Sequence, residues 1–193
     1  MATRDTRSEI IRAGLGIMAR QGFNSTGIDA VLKRAKVPKG SFYHYFSSKQ
    51  EFGLHVLDHF ADGIDRIFTS FLSDESATPL TRMRNCVESL VARFEENNCS
   101  IGCIAANLGQ EMADQSEEFR AKLADIFRSW IRHFEQCLGE ARDAGEIRDD
   151  LSPAYAAECF LSGFEGALLV SKVMKSSLPL KNFITIYFDR VLQ

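Results

Sequence analysis

Apolar residues recur along this chain at steps of three and four, and no stretch alternates with the period of two that marks a half-buried strand. The pattern predicts about nine helices and an all-α fold. The first runs from about Arg4 to Arg20 with Ile10, Gly14 and Ile17 or Met18 on one stripe, and Gly22 stands where a helix-ending glycine belongs. Thr26-Gly-Ile-Asp29 has capping-box spacing, so a second helix is expected to open at Thr26 and to continue through Ile28, Val31, Leu32 and Ala35. Lys36 and Val37 leave room only for a tight turn before Pro38, which suits the first position of a third helix ending near Tyr45. A fourth, capped by Ser47 or Ser48, carries Phe52, Val56, Phe60, Ile64, Ile67 and Phe71 at steps of four and three.

The same reading continues to the end of the chain. Thr78-Pro79 opens a fifth helix that stops at Asn97-Asn98, a sixth runs from Gly102-Cys103 to about Asp114, and Ser116 caps a seventh that Gly145 ends. Ser152-Pro153 starts an eighth, with Ala156, Cys159, Phe160, Gly163, Gly166, Ala167 and Val170 read as inner positions; a ninth runs from Pro179 to Val191. All four prolines are thereby expected in first turns. The division that follows is a three-helix head over residues 1–47 and a larger helical regulatory and dimerisation domain over 48–193, with 48–72 as the connecting helix.

Charge sharpens this division. The net charge of −3 conceals a head with nine Lys or Arg against four Asp or Glu in residues 1–52, which leaves −8 for the remainder. A positive end of that kind suits a phosphate backbone, where neutralisation releases counterions. No export leader is visible, so the cytoplasm is expected, and five cysteines there are expected as thiols. The apolar segment 154–174 contains Glu158, Glu165 and Lys172, which makes a membrane span costly and a buried or interface helix the better reading.

The densest chemistry lies in Val37-Pro-Lys-Gly-Ser-Phe-Tyr-His-Tyr-Phe46. Phe42 and Phe46, four apart, face inward together, whereas Lys39, Ser41, Tyr43 and His44 offer donors to phosphates or base edges and Gly40 permits close approach. Helix, tight turn and helix make a helix-turn-helix, whose second helix enters the major groove of double-stranded DNA. Residues 4–52 resemble the N-terminal domain of TetR-type repressors, through Gln21-Gly-Phe23, Thr26, Ile28, the Pro38 to Phe46 run and Ser48-Lys49. The resemblance implies a homodimer on a pseudo-palindromic operator. Lys39, Ser41 and Tyr43 would lie against the bases, Gly40 would let the helix come close, and Thr26, Tyr43, His44 and Lys49 would lie against phosphates. In such repressors the last two helices pair with their copies, here near 153–174 and 179–192.

Cys103 is the second candidate. It follows a glycine at the start of a helix, where the positive helix end favours a thiolate, a nucleophile. Ser100-Ile-Gly-Cys-Ile104, Leu108, Glu111 and Lys172 in Leu169-Val-Ser-Lys-Val173 resemble the N-ethylmaleimide-responsive, NemR-like branch of the same repressors. That resemblance implies an electrophile sensor at Cys103, with Lys172 as the cation beside it, and a reactive small-molecule effector. The alternative is a non-covalent effector in a helical pocket lined by Phe68, Phe94 and Trp130. Cys86, Cys137 and Cys159 read as core. No partner at ligand spacing supports a metal at Cys99 and Cys103, no base and orienting group can be named for cysteine catalysis, and no cofactor is called for.

Overall fold

The computed structural model describes residues 5–193. Among them are α1 (Thr6–Gln21), α2 (Ile28–Ala35), α3 (Gly40–Tyr45), α4 (Lys49–Leu72), α5 (Pro79–Glu96), α6 (Ile104–Met112), α7 (Glu117–Asp143), α8 (Pro153–Met174) and α9 (Leu178–Ile186). A π-helical turn, Tyr187–Val191, follows α9. The all-α expectation is met, with no strand among the described residues. The expected start of the first helix at Arg4 lies outside them.

By its contacts the chain forms two compact units. One comprises residues up to Gly63 together with Ile104–Leu123; the other comprises Ile64–Cys103 and Ala124–Gln193. Beyond the three helices of the head, the unit that holds the helix-turn-helix takes in the first part of α4, α6 and the start of α7.

In the first unit Phe42, Phe46 and Phe52 are almost completely buried, and their ring centroids stand 5.1–5.4 Å apart in edge and tilted geometry. Such pairs prefer these offsets because the positive ring edge meets the negative face. Gly14 on α1 faces the Phe52 ring so closely that a methyl there would lie 2.3 Å from it. Asp5 caps α1 by accepting from the Ser8 N–H at 3.2 Å. Ser48 Oγ accepts from the Glu51 N–H at 3.0 Å and caps α4.

In the second unit α8 and α9 pack through Phe160, Phe183 and Tyr187, with Phe160 and Tyr187 centroids 5.0 Å apart. Gly163 permits this approach, since a methyl there would lie 2.3 Å from the Phe183 ring.

Four local expectations are corrected. The residue before α2 in the capping position is Gly27, with no side-chain cap; Thr26 is 1% exposed and its hydroxyl donates to the Gly22 carbonyl at 2.6 Å. Pro38 lies in the turn before α3, where its carbonyl accepts from the Ser41 N–H at 3.0 Å, and the helix begins at Gly40. On α4 the buried side chains are Phe52, Val56, Leu57, Ala61, Phe68 and Leu72, while Phe60, Ile64, Ile67 and Phe71 are half-buried. Repeated steps of four each advance about 40° beyond a full turn, so the expected stripe drifts off the core face. On α8, Cys159, Gly166 and Val170 are exposed: turning Ala156, Phe160, Phe164 and Leu168 inward directs them out.

Candidate nucleic-acid interface and cysteine site

Lys36 sits in the left-handed region at φ 57° and closes α2, and the six-residue α3 follows within a few residues. Burial of Phe42 and Phe46 fixes which side of α3 faces out. Tyr43 is 63% exposed, and Lys39, Gly40 and His44 are exposed beside it, with Ser41 half-buried. Lys39 pairs with Asp29 of α2 at 3.0 Å, both largely in solvent, where such a pair is weak and exchangeable. An open cleft of about 410 Å³ runs between α2 and α3, lined in part by Ser25, Gly27, Asp29, Lys39, Tyr43 and Lys49. The structure therefore brings the seven residues named for DNA onto or beside one surface. Thr26 lines the cleft too, but it is only 1% exposed and its hydroxyl is held by the Gly22 carbonyl.

Lys49 is less available than expected. Its ammonium donates to the Asn24 carbonyl at 3.0 Å and lies 4.7 Å from the centroid of the Phe23 ring. Partial burial lowers its pKa, against the opposing charge of Glu111.

Cys103 immediately precedes α6, and is half-buried. The loop leading to it holds Asn98 and Cys99 in the left-handed region, at φ 52° and 50°, a conformation costly for a cysteine. The Cys103 thiol is hydrogen-bonded to Glu165 of α8, and burial pushes the Glu165 carboxyl up to about 7 against that bond. Lys172, half-buried on the same helix, runs its stem beside Gly102: a methyl at Gly102 would lie 3.4 Å from Lys172 Cδ. The Cys103 thiol and the Glu165 carboxyl thus meet just before α6, with the Lys172 stem beside Gly102. Glu165 was missed as a site residue. Its signal was a charge in an apolar helix, seven positions before Lys172 and so on the same side of α8.

The other thiols differ. Burial pushes Cys86 up to about 12 and Cys137 to about 11, which leaves both as unreactive thiols at neutral pH. Of the residues expected to line a ligand pocket, Phe68 and Trp130 are buried with centroids 6.1 Å apart, and Phe94 is buried on α5. A cavity of about 500 Å³ in the same unit is lined by Leu72, Ser73, Glu75, Ala77, Pro79, Arg82, Gln136 and Glu140, none of the three. Among the described residues, no cluster of three or more His, Cys, Asp or Glu is placed to hold a metal, and no helix is long and apolar enough to cross a membrane.

One further surface is apolar and open. Tyr155, Leu169, Val170, Val173 and Met174 of α8, with Leu178 and Ile186 of α9, are between 47% and 75% exposed.

Comparison with known proteins places these features together. The model for bacterial regulatory proteins of the tetR family matches residues 10–56, and that for the tetracyclin repressor-like C-terminal domain matches residues 79–187. The transcriptional regulator AcuR of Cereibacter sphaeroides is 38% identical over 174 residues, covering 90% of this chain and 80% of the relative. The crystal structure of a regulatory protein TetR from Rhodobacter sphaeroides superposes with a TM-score of 0.90 at 36% identity, over 94% of this chain and 96% of that one. The reduced form of Escherichia coli NemR superposes with a TM-score of 0.84 at 30% identity, over 96% of each.

Proposed function

Since the chain belongs to the TetR family of transcriptional repressors, whose members bind operator DNA as dimers, we propose that it leaves its operator when Cys103 reacts with an electrophile or oxidant. The carrying observation is the grouping of Cys103, Glu165 and Lys172 at the start of α6. In the addition to an electrophilic carbon–carbon double bond, the thiol proton passes to the Glu165 carboxylate, the S–H pair becomes the new sulfur–carbon bond, and the displaced π pair moves onto the electrophile, which then takes a proton from water. The Lys172 ammonium balances the negative charge. A half-buried thiol between two ionisable groups has the setting of a reactive cysteine rather than a packing one. The solved structure of Escherichia coli NemR, 30% identical over nearly the whole chain, is of its reduced form, which fits a relative with distinct redox states.

The DNA side of the proposal places Lys39, Ser41 and Tyr43 against base edges, with Gly40 permitting close approach, and Tyr43, His44 and Lys49 near phosphates. The exposed apolar surface of α8 and α9 is the proposed dimer face, and the setting is cytoplasmic. Added bulk at Cys103 strains a packed layer and changes the spacing of the two recognition helices. Brief electrophile treatment followed by intact-mass and peptide analysis tests the reading. One adduct on Cys103 and loss of DNA binding are expected, both absent in Cys103→Ser. A Cys103→Ser protein still released from DNA by the electrophile would exclude it.

A second reading, a non-covalent effector, has its own observation. Beside the Phe68 and Trp130 rings, Asp65 Oδ1 is buried without a hydrogen bond and stands 3.9 Å from His133 Nε2. A polar group in that state is suited to a ligand donor.

A further inference from the structure

The turn between α1 and α2 is held from α6 in an unusual way. Glu111, in the last turn of α6, accepts from two consecutive backbone N–H groups: Phe23 to Oε2 at 2.7 Å and Asn24 to Oε1 at 2.6 Å. Both carboxylate oxygens are used, each in a charge-assisted bond. The preceding residue, Gly22, has φ +79°, and a methyl there would lie 2.5 Å from Glu111 Oε2. The seat thus requires a residue without Cβ, and the carboxylate fits the concavity that successive N–H groups make. Gln115 adds to the same hold by accepting from the Asn24 side chain at 3.4 Å and donating to the Glu111 carbonyl at 2.7 Å. Lys49 also donates to the Asn24 carbonyl, and Thr26 ties its hydroxyl back to the Gly22 carbonyl. Residues 22–26 are therefore clamped between a carboxylate and an ammonium, directly ahead of α2, whose backbone position sets that of α3.

We propose that Glu111 is a positioning residue for operator binding: it orients the helix-turn-helix through the Gly22–Asn24 turn, without itself reaching DNA. The inference rests on the family's DNA binding and not on Cys103. It also gives α6 a lever, because Cys103 precedes α6 in the chain and Glu111 lies near its other end. A small displacement of α6 that withdraws the carboxylate frees two N–H groups and releases the turn.

Charge and position make opposite demands, which lets an experiment separate them. Removing an acidic group from a DNA-binding unit strengthens electrostatic attraction to any duplex. Removing a positioning group weakens only the selected one. The test uses full-length wild-type, Glu111→Gln and Gly22→Ala proteins. The probes are a duplex selected by the wild type from a random-sequence pool and a scrambled duplex of the same composition, with thermal unfolding followed in parallel. The expected result for both variants is at least a tenfold loss on the selected duplex, no loss on the scrambled one, and cooperative unfolding retained. Glu111→Asp, which keeps the charge with a shorter reach, is expected to recover part of the loss. Equal or tighter binding of the selected duplex by Glu111→Gln would overturn the proposal, as would a parallel fall on both duplexes. Should neither variant unfold cooperatively, amide exchange in the wild type decides. Protected Phe23 and Asn24 amides support the clamp, and exchange at the rate of unstructured peptides overturns it. A wild type that selects no duplex would instead refute the DNA-binding assignment itself.

Discussion

The outward side of α3 and the surroundings of Cys103 are built on opposite plans. Lys39, Gly40, Ser41, Tyr43 and His44 are close neighbours in sequence, exposed, and oriented by two buried phenylalanines. Cys103 reaches Glu165 only after α6 and α7 have intervened and α8 has returned to it, and it does so half-buried. Under the proposed reading, the contrast follows from what each would have to do. Reading a duplex needs groups in their ordinary protonation states, displayed at fixed spacing; sensing a reactive molecule needs a group moved out of its ordinary state. Exposure serves the first and partial burial the second.

The largest expected effect concerns a surface that both regions depend on. Val173→Asp places a charge in the proposed dimer face. It is expected to give monomers in sedimentation velocity and at least about a hundredfold weaker operator binding, because one head cannot hold two half-sites. A stable dimer in that variant would move the interface elsewhere. Next, Tyr43→Ala is expected to cost about 1–3 kcal/mol of operator binding, roughly ten- to a hundredfold, while Cys103 labels at the wild-type rate. Slower labelling would show that the two regions are not separable in the free protein.

The same contrast explains what could be read from sequence. The order of the helices and the outward side of α3 rest on neighbours three and four residues apart, and these were read correctly, although the starts of α2 and α3 were not; of Ser47 and Ser48 it is Ser48 that caps α4, and Gly145 follows α7 as expected. Thr26 misled because its spacing to Asp29 satisfies a capping box, yet its hydroxyl finds a stronger local use on the Gly22 carbonyl. Cys159 was read as core because helical periodicity places it on a stripe; which stripe of α8 turns inward is decided by α9. Glu165 and the Glu111 clamp were out of reach, since both depend on partners brought together only by folding.

A smaller effect distinguishes the half-buried site through pH. Glu165 has a folded value near 7, above its ordinary 4.5, so between those values the folded protein holds a proton that the unfolded chain has released. Its contribution is fully present below about pH 4.5 and is lost as pH rises through 7. The total is at most about 3 kcal/mol, reduced by the partial exposure of the side chain. Glu165→Gln is expected to flatten this fall in denaturant titrations at pH 5 and 8. An equal fall in wild type and variant would assign the pH dependence to other groups.

The smallest expected effect tests the role of charge beside the thiol. The Lys172 stem lies beside Gly102, next to Cys103 in the chain, while the Glu165 carboxyl is hydrogen-bonded to the thiol. If the amine balances the negative charge that develops as Cys103 reacts, Lys172→Met removes that balance and leaves most of the packing, because the methionine retains an unbranched stem. Labelling of Cys103 at pH 7 is then expected to slow by a few-fold, on the scale of one partly solvated charge pair. The two proteins should converge in alkali, where the thiol is ionised regardless. Operator binding by the unmodified variant should be unchanged, since the proposal assigns Lys172 to the sensing region and the reading of DNA to α3. Equal labelling rates across the whole pH range would remove Lys172 from the chemistry and leave Glu165 as the group that activates the thiol. A Lys172→Met protein that labels normally but no longer leaves DNA would instead place the lysine after the reaction, in the step that carries strain from Cys103 into the packed helices.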